Sequence, residues 1–321
     1  MLFTLMTLSG LAQTGKKMPD NKNPLLCDPQ SGICEMPGIA SSGEFKAGIA
    51  TPKPVKVIYF TDPICSSCWG IEPQLRKLKL EYGDNLEIEY RMGGLLPDWS
   101  YNSGGISKPS DVAHHWDEVS IHYDMPIDGD VWLEDPLDSS YPPSIAFKAA
   151  EMQDDKKAID FLRAIREMVF LQKKNITRWE HLEAAAVASG LNPEQMKRDM
   201  EGKALELFQE DLKMGRSMGV RGFPTMFFLD AKNNRELVYG SKPYAAYEAA
   251  VLKLYPGAAK HPYDKSTEKL FKYYSSLTAR EFSELSGTPG GEATSTLQSF
   301  TEQGFLERLD TKNGSLWRVR R

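Results

Sequence analysis

Cysteine is scarce. The 321 residues hold only Cys27, Cys34, Cys65 and Cys68. That is far below the density at which disulfides replace a hydrophobic core, so stapling does not hold this fold together. Long apolar runs are missing too: none reaches the roughly 18 residues that a membrane-spanning helix needs. Nor is there a basic surplus. Lys and Arg number 39 against 44 Asp and Glu, a net charge of −5, which argues against general attraction to nucleic acid or anionic membrane. Residues 1–11 (MLFTLMTLSGL) are short and apolar and lead to Ala12, like a weak signal peptide, but the Lys or Arg that opens a secretory signal is absent. A cytoplasmic protein is therefore expected, with export as the alternative; Met18 is an equally good start. No internal repeat is visible.

What is present suffices for a core. Apolar residues make up 41% of the chain, and its length suits two domains or one domain with a large insertion. Residues 1–54, rich in Pro, Gly, Ser, Asn and Lys and without period, read as a flexible arm. Residues 55–60 (VKVIYF) are a buried strand ended by Thr61-Asp62-Pro63. Residues 65–82 carry Leu75, Leu78 and Tyr82 at helical spacing, and 86–92 (LEIEYRM) alternate as a strand before Gly93-Gly94. Helical patterns then dominate, clearest at 161–175 and 181–190. Strand character returns at 225–229, turns at 230–234 and pairs with 235–239. A last helix covers 244–254. The order is α/β: strand, helix, strand, helical insertion (about 104–218), hairpin, helix, in a unit spanning 55–262.

Cys65-Ser66-Ser67-Cys68 stands where a strand yields to a helix. The helix N-terminus offers unpaired N–H groups and partial positive charge, which favour thiolate. Cys65 is predicted to be acidified and exposed, and Cys68, one turn in, to be buried and to resolve mixed disulfides. A CxxC is also half of a zinc site, and Cys27 with Cys34 would be the other half. Their six-residue spacing is wide for zinc and the strand–helix context fits redox chemistry better, so no metal or cofactor is expected. Cys27 and Cys34 are predicted to be a second, accessible redox pair that shuttles disulfides to the first pair or binds a metal; incidental arm residues are the alternative. His114, His115 and His122 lie at helical spacing, but no pattern completes a metal site around them. Asp62 reads as a tuner of the cysteines or as an ordinary turn residue.

The stretch YFTDPICSSCWGIEPQLRKLKLEYGDNLEIEYRMGGL, with VRGFPTMFFL, resembles the DsbA-like thioredoxin superfamily, closest to its FrnE-type oxidoreductases and the YjbH (SpxH) branch. The resemblance covers about residues 55–256. It implies a thioredoxin fold with a helical insertion over the cysteines, Cys65 as nucleophile, Cys68 as resolving thiol, and Pro224 as a cis-proline facing them. Phe223 is bulkier than the residue often found there. Phe223, Trp69 and Trp99 are the candidate substrate-contacting side chains, with packing as the alternative for the tryptophans. Relatives that isomerise aromatic carboxylates carry serine where Cys65 stands, so the intact pair points to redox chemistry.

Residues 263–321 have another rhythm: three helical patterns, then a hairpin turning at Lys312-Asn313-Gly314. That is winged-helix-like. Yet the would-be recognition helix, 292–303, has two glutamates and no Lys or Arg, and from His261 onward nine basic residues face eight acidic ones. Phosphate contacts need a basic face, so a protein-contact module is expected and no nucleic-acid partner. Because the redox unit closes by its own hairpin and helix, deleting the tail is expected to leave it folded. Two functions follow: a thiol–disulfide oxidoreductase acting on protein or small-thiol disulfides, or, as the YjbH resemblance implies, a redox-sensitive adaptor that presents the regulator Spx to the ClpXP protease.

Overall fold

The computed structural model describes residues 27–28, 31–35, 53–100 and 108–320. The short apolar stretch at residues 1–12, on which the alternative of export rests, lies outside them. Two short antiparallel strands come first, β1 (Cys27–Asp28) and β2 (Ile33–Glu35). Gly32, at φ +67°, makes the turn between them, a conformation that costs a β-carbon residue energy. The arm is thus partly built into the fold rather than loose throughout.

The β-branched and aromatic run becomes β3 (Val55–Thr61). It leads into α1 (Ser66–Gly70) and α2 (Glu72–Tyr82), then β4 (Leu86–Met92). The single helix expected over 65–82 is broken at Ile71 (φ −93°, ψ 1°). Pro73, in the first turn of α2, has no N–H to continue the earlier ladder, so it starts a helix rather than extending one. A helical block follows: α3 (Pro109–Tyr123), α4 (Val131–Glu134), α5 (Tyr141–Gln153), α6 (Asp155–Leu171), α7 (Trp179–Ala188), α8 (Pro193–Met200) and α9 (Lys203–Ser217). In α6, Asp154 caps the N–H groups of Lys156 and Lys157 at 2.9 and 3.0 Å, and Phe161, Leu162, Ile165 and Val169 form the buried stripe. Strands β5 (Gly222–Phe223), β6 (Thr225–Asp230) and β7 (Arg235–Tyr239) and helix α10 (Tyr244–Leu254) complete the unit.

The central sheet has the order β4-β3-β6-β7. Strand β3 runs parallel to β4 and antiparallel to β6, with Tyr59 opposite Tyr90 on one side and Met226 on the other. This is the thioredoxin fold with a helical insertion between its two halves. No described helix is long and apolar enough to cross a membrane.

The tail contributes α11 (Thr267–Tyr273), β8 (Ser276–Thr278), α12 (Ala279–Ser286), α13 (Gly290–Glu302), β9 (Leu306–Thr311) and β10 (Gly314–Val319). Its sheet order is β8-β10-β9, and Leu270, Leu277, Phe282, Leu285, Leu297 and Trp317 form a core of their own. The tail does not hang free. Arg163 of α6 grips Glu281 of α12 through two hydrogen bonds of 2.8 and 3.0 Å, and Arg76 of α2 reaches Glu281 at 3.3 Å and the Ser276 carbonyl at 2.7 Å. At the far edge, Lys312 sits 2.6 Å from Asp117 and 2.7 Å from Asp130.

Candidate redox site

The site forms where β3 stops. Asp62 ends the strand with its carboxylate turned inward: one oxygen accepts from the Ile64 N–H at 3.0 Å, the other from the Leu95 N–H at 2.7 Å and the Ser140 hydroxyl at 2.8 Å. Burial raises its pKa to about 6, against the pull of those donors and of Arg166. Asp62 thus takes part in the turn, its carboxylate accepting from the N–H two residues on and its carbonyl from the Cys65 N–H at 3.2 Å, but as a buried group that is not freely ionised. Arg166 holds the same strand end, donating to the Thr61 hydroxyl at 2.6 Å and the Asp62 carbonyl at 3.2 Å, and ties it to Glu72 at 2.7 Å.

Cys65 is the N-cap of α1. Its sulfur accepts the Cys68 N–H at 3.1 Å, the interaction through which a helix start favours sulfur anion. Cys65 and Cys68 are joined in a disulfide, with Cα atoms 5.1 Å apart. Behind them the Ser67 and Tyr123 hydroxyls share a hydrogen bond of 2.9 Å. The Phe223–Pro224 peptide bond is cis.

Three expectations about these residues are corrected. Cys65 is not exposed: it and Cys68 are both 0% accessible. The cover is the N-terminal hairpin. Strand β2 lies antiparallel on β5, with Cys34 opposite Phe223 and Glu35 opposite Gly222, and the Cys34 sulfur stands 3.4 Å from that of Cys65. Cys34 is 0% exposed as well, so it is not an accessible thiol; it is disulfide-bonded, and the main chain of Cys27 lies opposite it. Trp69 does not line a substrate face. It is fully buried, stacked on Phe170 at 5.5 Å, with its indole N–H on the Pro126 carbonyl at 3.0 Å and Arg163 over its ring at 4.3 Å. Trp99 is only half-buried, its indole N–H on the Leu137 carbonyl at 2.8 Å and its ring against the edge of Trp132, and neither contact decides between packing and a place on the substrate face.

Phe223 turns its ring inward. A β-carbon on Gly93 would stand 1.8 Å from it, so the main chain of Phe223, not its ring, meets the incoming strand. Among the described residues no His, Cys, Asp or Glu group is arranged to hold a metal; His114 instead pairs with Glu118 at 3.2 Å along α3. Sequence reasoning missed Arg166, Ser140 and the hairpin's seat. Only Gly32 and Gly240-Ser241 hinted at the last. The Ser241 N–H donates to the Gly32 carbonyl at 2.8 Å, and a β-carbon on Gly240 would meet the Ser31 carbonyl at 2.5 Å.

Comparison with known proteins agrees with this geometry. The thioredoxin family model matches residues 59–249. The ClpXP adapter protein SpxH of Halalkalibacterium halodurans is 33% identical over 307 residues, covering 94% of this chain and 99% of that one. The protein of the same name from Bacillus subtilis is 28% identical over 271 residues, covering 83% and 89%. Among solved structures, the cytosolic disulfide reductase DsbM from Pseudomonas aeruginosa superposes with a TM-score of 0.51 at 21% identity, over 62% of this chain and 99% of that one; at that identity the likeness speaks for the fold alone. With its strand–CxxC–helix start, its helical insertion and its match to SpxH relatives over nearly their whole length, the chain belongs to the thioredoxin family, on the SpxH branch.

Proposed function

We propose that the protein is an adaptor that brings a client regulator to a ClpXP-type protease, and that its Cys65–Cys68 pair is redox-active. The observation that carries this is the extent of the SpxH likeness. A match over 94% of the chain necessarily runs beyond residue 249, where the thioredoxin match ends, and takes in most of the tail. An enzyme that needed only the redox unit would not require that layout. The sealed cysteines agree: with both sulfurs buried, this state offers no open site for turnover. The test is reconstitution with purified ClpX, ClpP and the regulator Spx as probe. Addition of the protein should speed loss of Spx by tenfold or more; no acceleration would sink the reading.

One observation favours a second activity, thiol–disulfide exchange on protein or small-thiol disulfides: the edge beside Pro224 already holds an extended, cysteine-bearing strand. Reduction of insulin by a small dithiol, with and without the protein, tests it. We assign 55–262 to the redox unit and 263–321 to a winged-helix-like module for protein contact, in a cytoplasmic protein that does not bind nucleic acid.

A further inference from the structure

A strand added to the edge beside a cis-proline is the way thioredoxin folds take an extended peptide, with main-chain pairing for affinity and a side chain delivered to the reactive sulfur. Here the chain supplies that strand itself. Strand β2 pairs with β5, and the side chain it delivers is a cysteine, whose sulfur lies about 1.4 Å farther from Cys65 than a disulfide bond length. Its seat is shaped for it. Gly32 packs so closely on Ser241 that a β-carbon would come within 2.6 Å of that side chain and 2.7 Å of its main-chain nitrogen.

We propose that Cys34 is a third catalytic residue of this site, and that residues 31–35 are a built-in substrate strand through which electrons pass between Cys65–Cys68 and the disulfide at Cys34. This rests on the reading of Cys65–Cys68 as redox-active. With the core pair reduced, the Cys65 thiolate attacks the Cys34 sulfur. A Cys65–Cys34 bond forms and the sulfur bonded to Cys34 departs as thiolate. Cys27, the remaining cysteine of the chain and the residue opposite Cys34 in the strand register, supplies that sulfur. The Cys68 thiolate then attacks Cys65, re-forming Cys65–Cys68 and releasing Cys34 as thiolate. One disulfide is reduced to two thiols while two thiols are oxidised to one disulfide: two electrons and two protons move from core to arm. The reverse sequence moves them back. An external dithiol or disulfide is needed only to set the starting state.

The experiment uses the full chain carrying Cys68→Ala, which removes the resolving thiol. After full reduction with dithiothreitol and reoxidation with glutathione disulfide, acid quenching, alkylation and non-reducing peptide mapping should find Cys34–Cys65 as the dominant internal link. Adding Gly32→Val, which unseats the strand while keeping every remaining cysteine, should lower that link at least tenfold. A Cys34–Cys65 link that is absent, or unchanged by Gly32→Val, overturns the proposal. Wild-type protein carried through the same cycle separates the two readings: if Cys65–Cys68 re-forms but the variant shows no link, only the relay fails, whereas failure to re-form it removes redox activity itself. Circular dichroism of both variants confirms that each is folded.

Discussion

Asp62 carries its carboxyl where water does not reach, and this gives the protein a pH signature. Its folded pKa, about 6, exceeds the ordinary 3.8 because burial penalises the charge. Below about pH 4 both folded and unfolded chains hold the proton; between about 4 and 6 only the folded chain does. Stability therefore falls as pH rises through that window, by about 3 kcal/mol in total. Asp62→Asn should remove that much of the slope in urea midpoints measured from pH 4 to 7. An unchanged slope would assign the titration elsewhere. Trp69 makes a second test: Trp69→Ala should cost about 3–5 kcal/mol of stability, as emptying a core site does, and a stability loss below about 1 kcal/mol would return Trp69 to the substrate face. The chemistry of both residues was legible in the sequence, but their placement was not. Residues 95, 140 and 170 close over them from far along the chain, and no local pattern encodes that closure.

At the scale of elements, what reads from sequence is what forms by its own pattern. Strands β3 and β6 fall within a residue of the apolar runs that predict them, β4 within a residue of its alternation and β7 within a residue of its place after the turn, since each of these signals is local to its own stretch of chain. Strand β2 is three residues long and has no such run; its strand character comes from β5. Helix α12 lies between these cases. Thr278 and Glu281 form a capping box, the Thr278 hydroxyl accepting from the Glu281 N–H at 3.1 Å and the Glu281 carboxylate from the Thr278 N–H at 2.8 Å. The same carboxylate also binds Arg163 and Arg76. Burial alone would raise its pKa; the two guanidinium groups outweigh this and hold it below the usual range. Its contribution is thus present above about pH 4.5 and lost as pH falls through the lowered value, opposite in sign to Asp62. Glu281→Ala should cost about 3–5 kcal/mol at pH 7, leaving buried arginines without their shared partner, with the gap to wild type narrowing below about pH 4. A deficit that does not vary with pH would mean that packing, not charge, is what the residue supplies.

For the whole molecule, these contacts add a cost to the expectation that the redox unit stays folded when the tail is deleted. Arg76, Lys77 and Arg163 of the redox unit all find partners on α12 or β8, and Ser276 also bonds Glu167 of α6. A chain ending at residue 262 should unfold at a lower urea midpoint, with at least about 3 kcal/mol less stability than the full chain, because buried charges lose their counterparts. Equal midpoints would show that the tail is an independent attachment. The full chain should unfold in one transition by circular dichroism and by tryptophan fluorescence, since Trp69 and Trp317 sit in cores joined by this interface.

The seating of residues 33–35 on residues 222–223 also sets a timetable. During synthesis Cys34 leaves the ribosome about 200 residues ahead of the edge it will occupy. At about 5–20 residues per second, that is an interval of roughly 10–40 s. For most of it all four cysteines are already made, while the edge that pairs with the segment around Cys34 is not. The newborn chain passes through a period of open sulfur chemistry that the finished protein closes, because the earlier-made segment waits for an edge made much later.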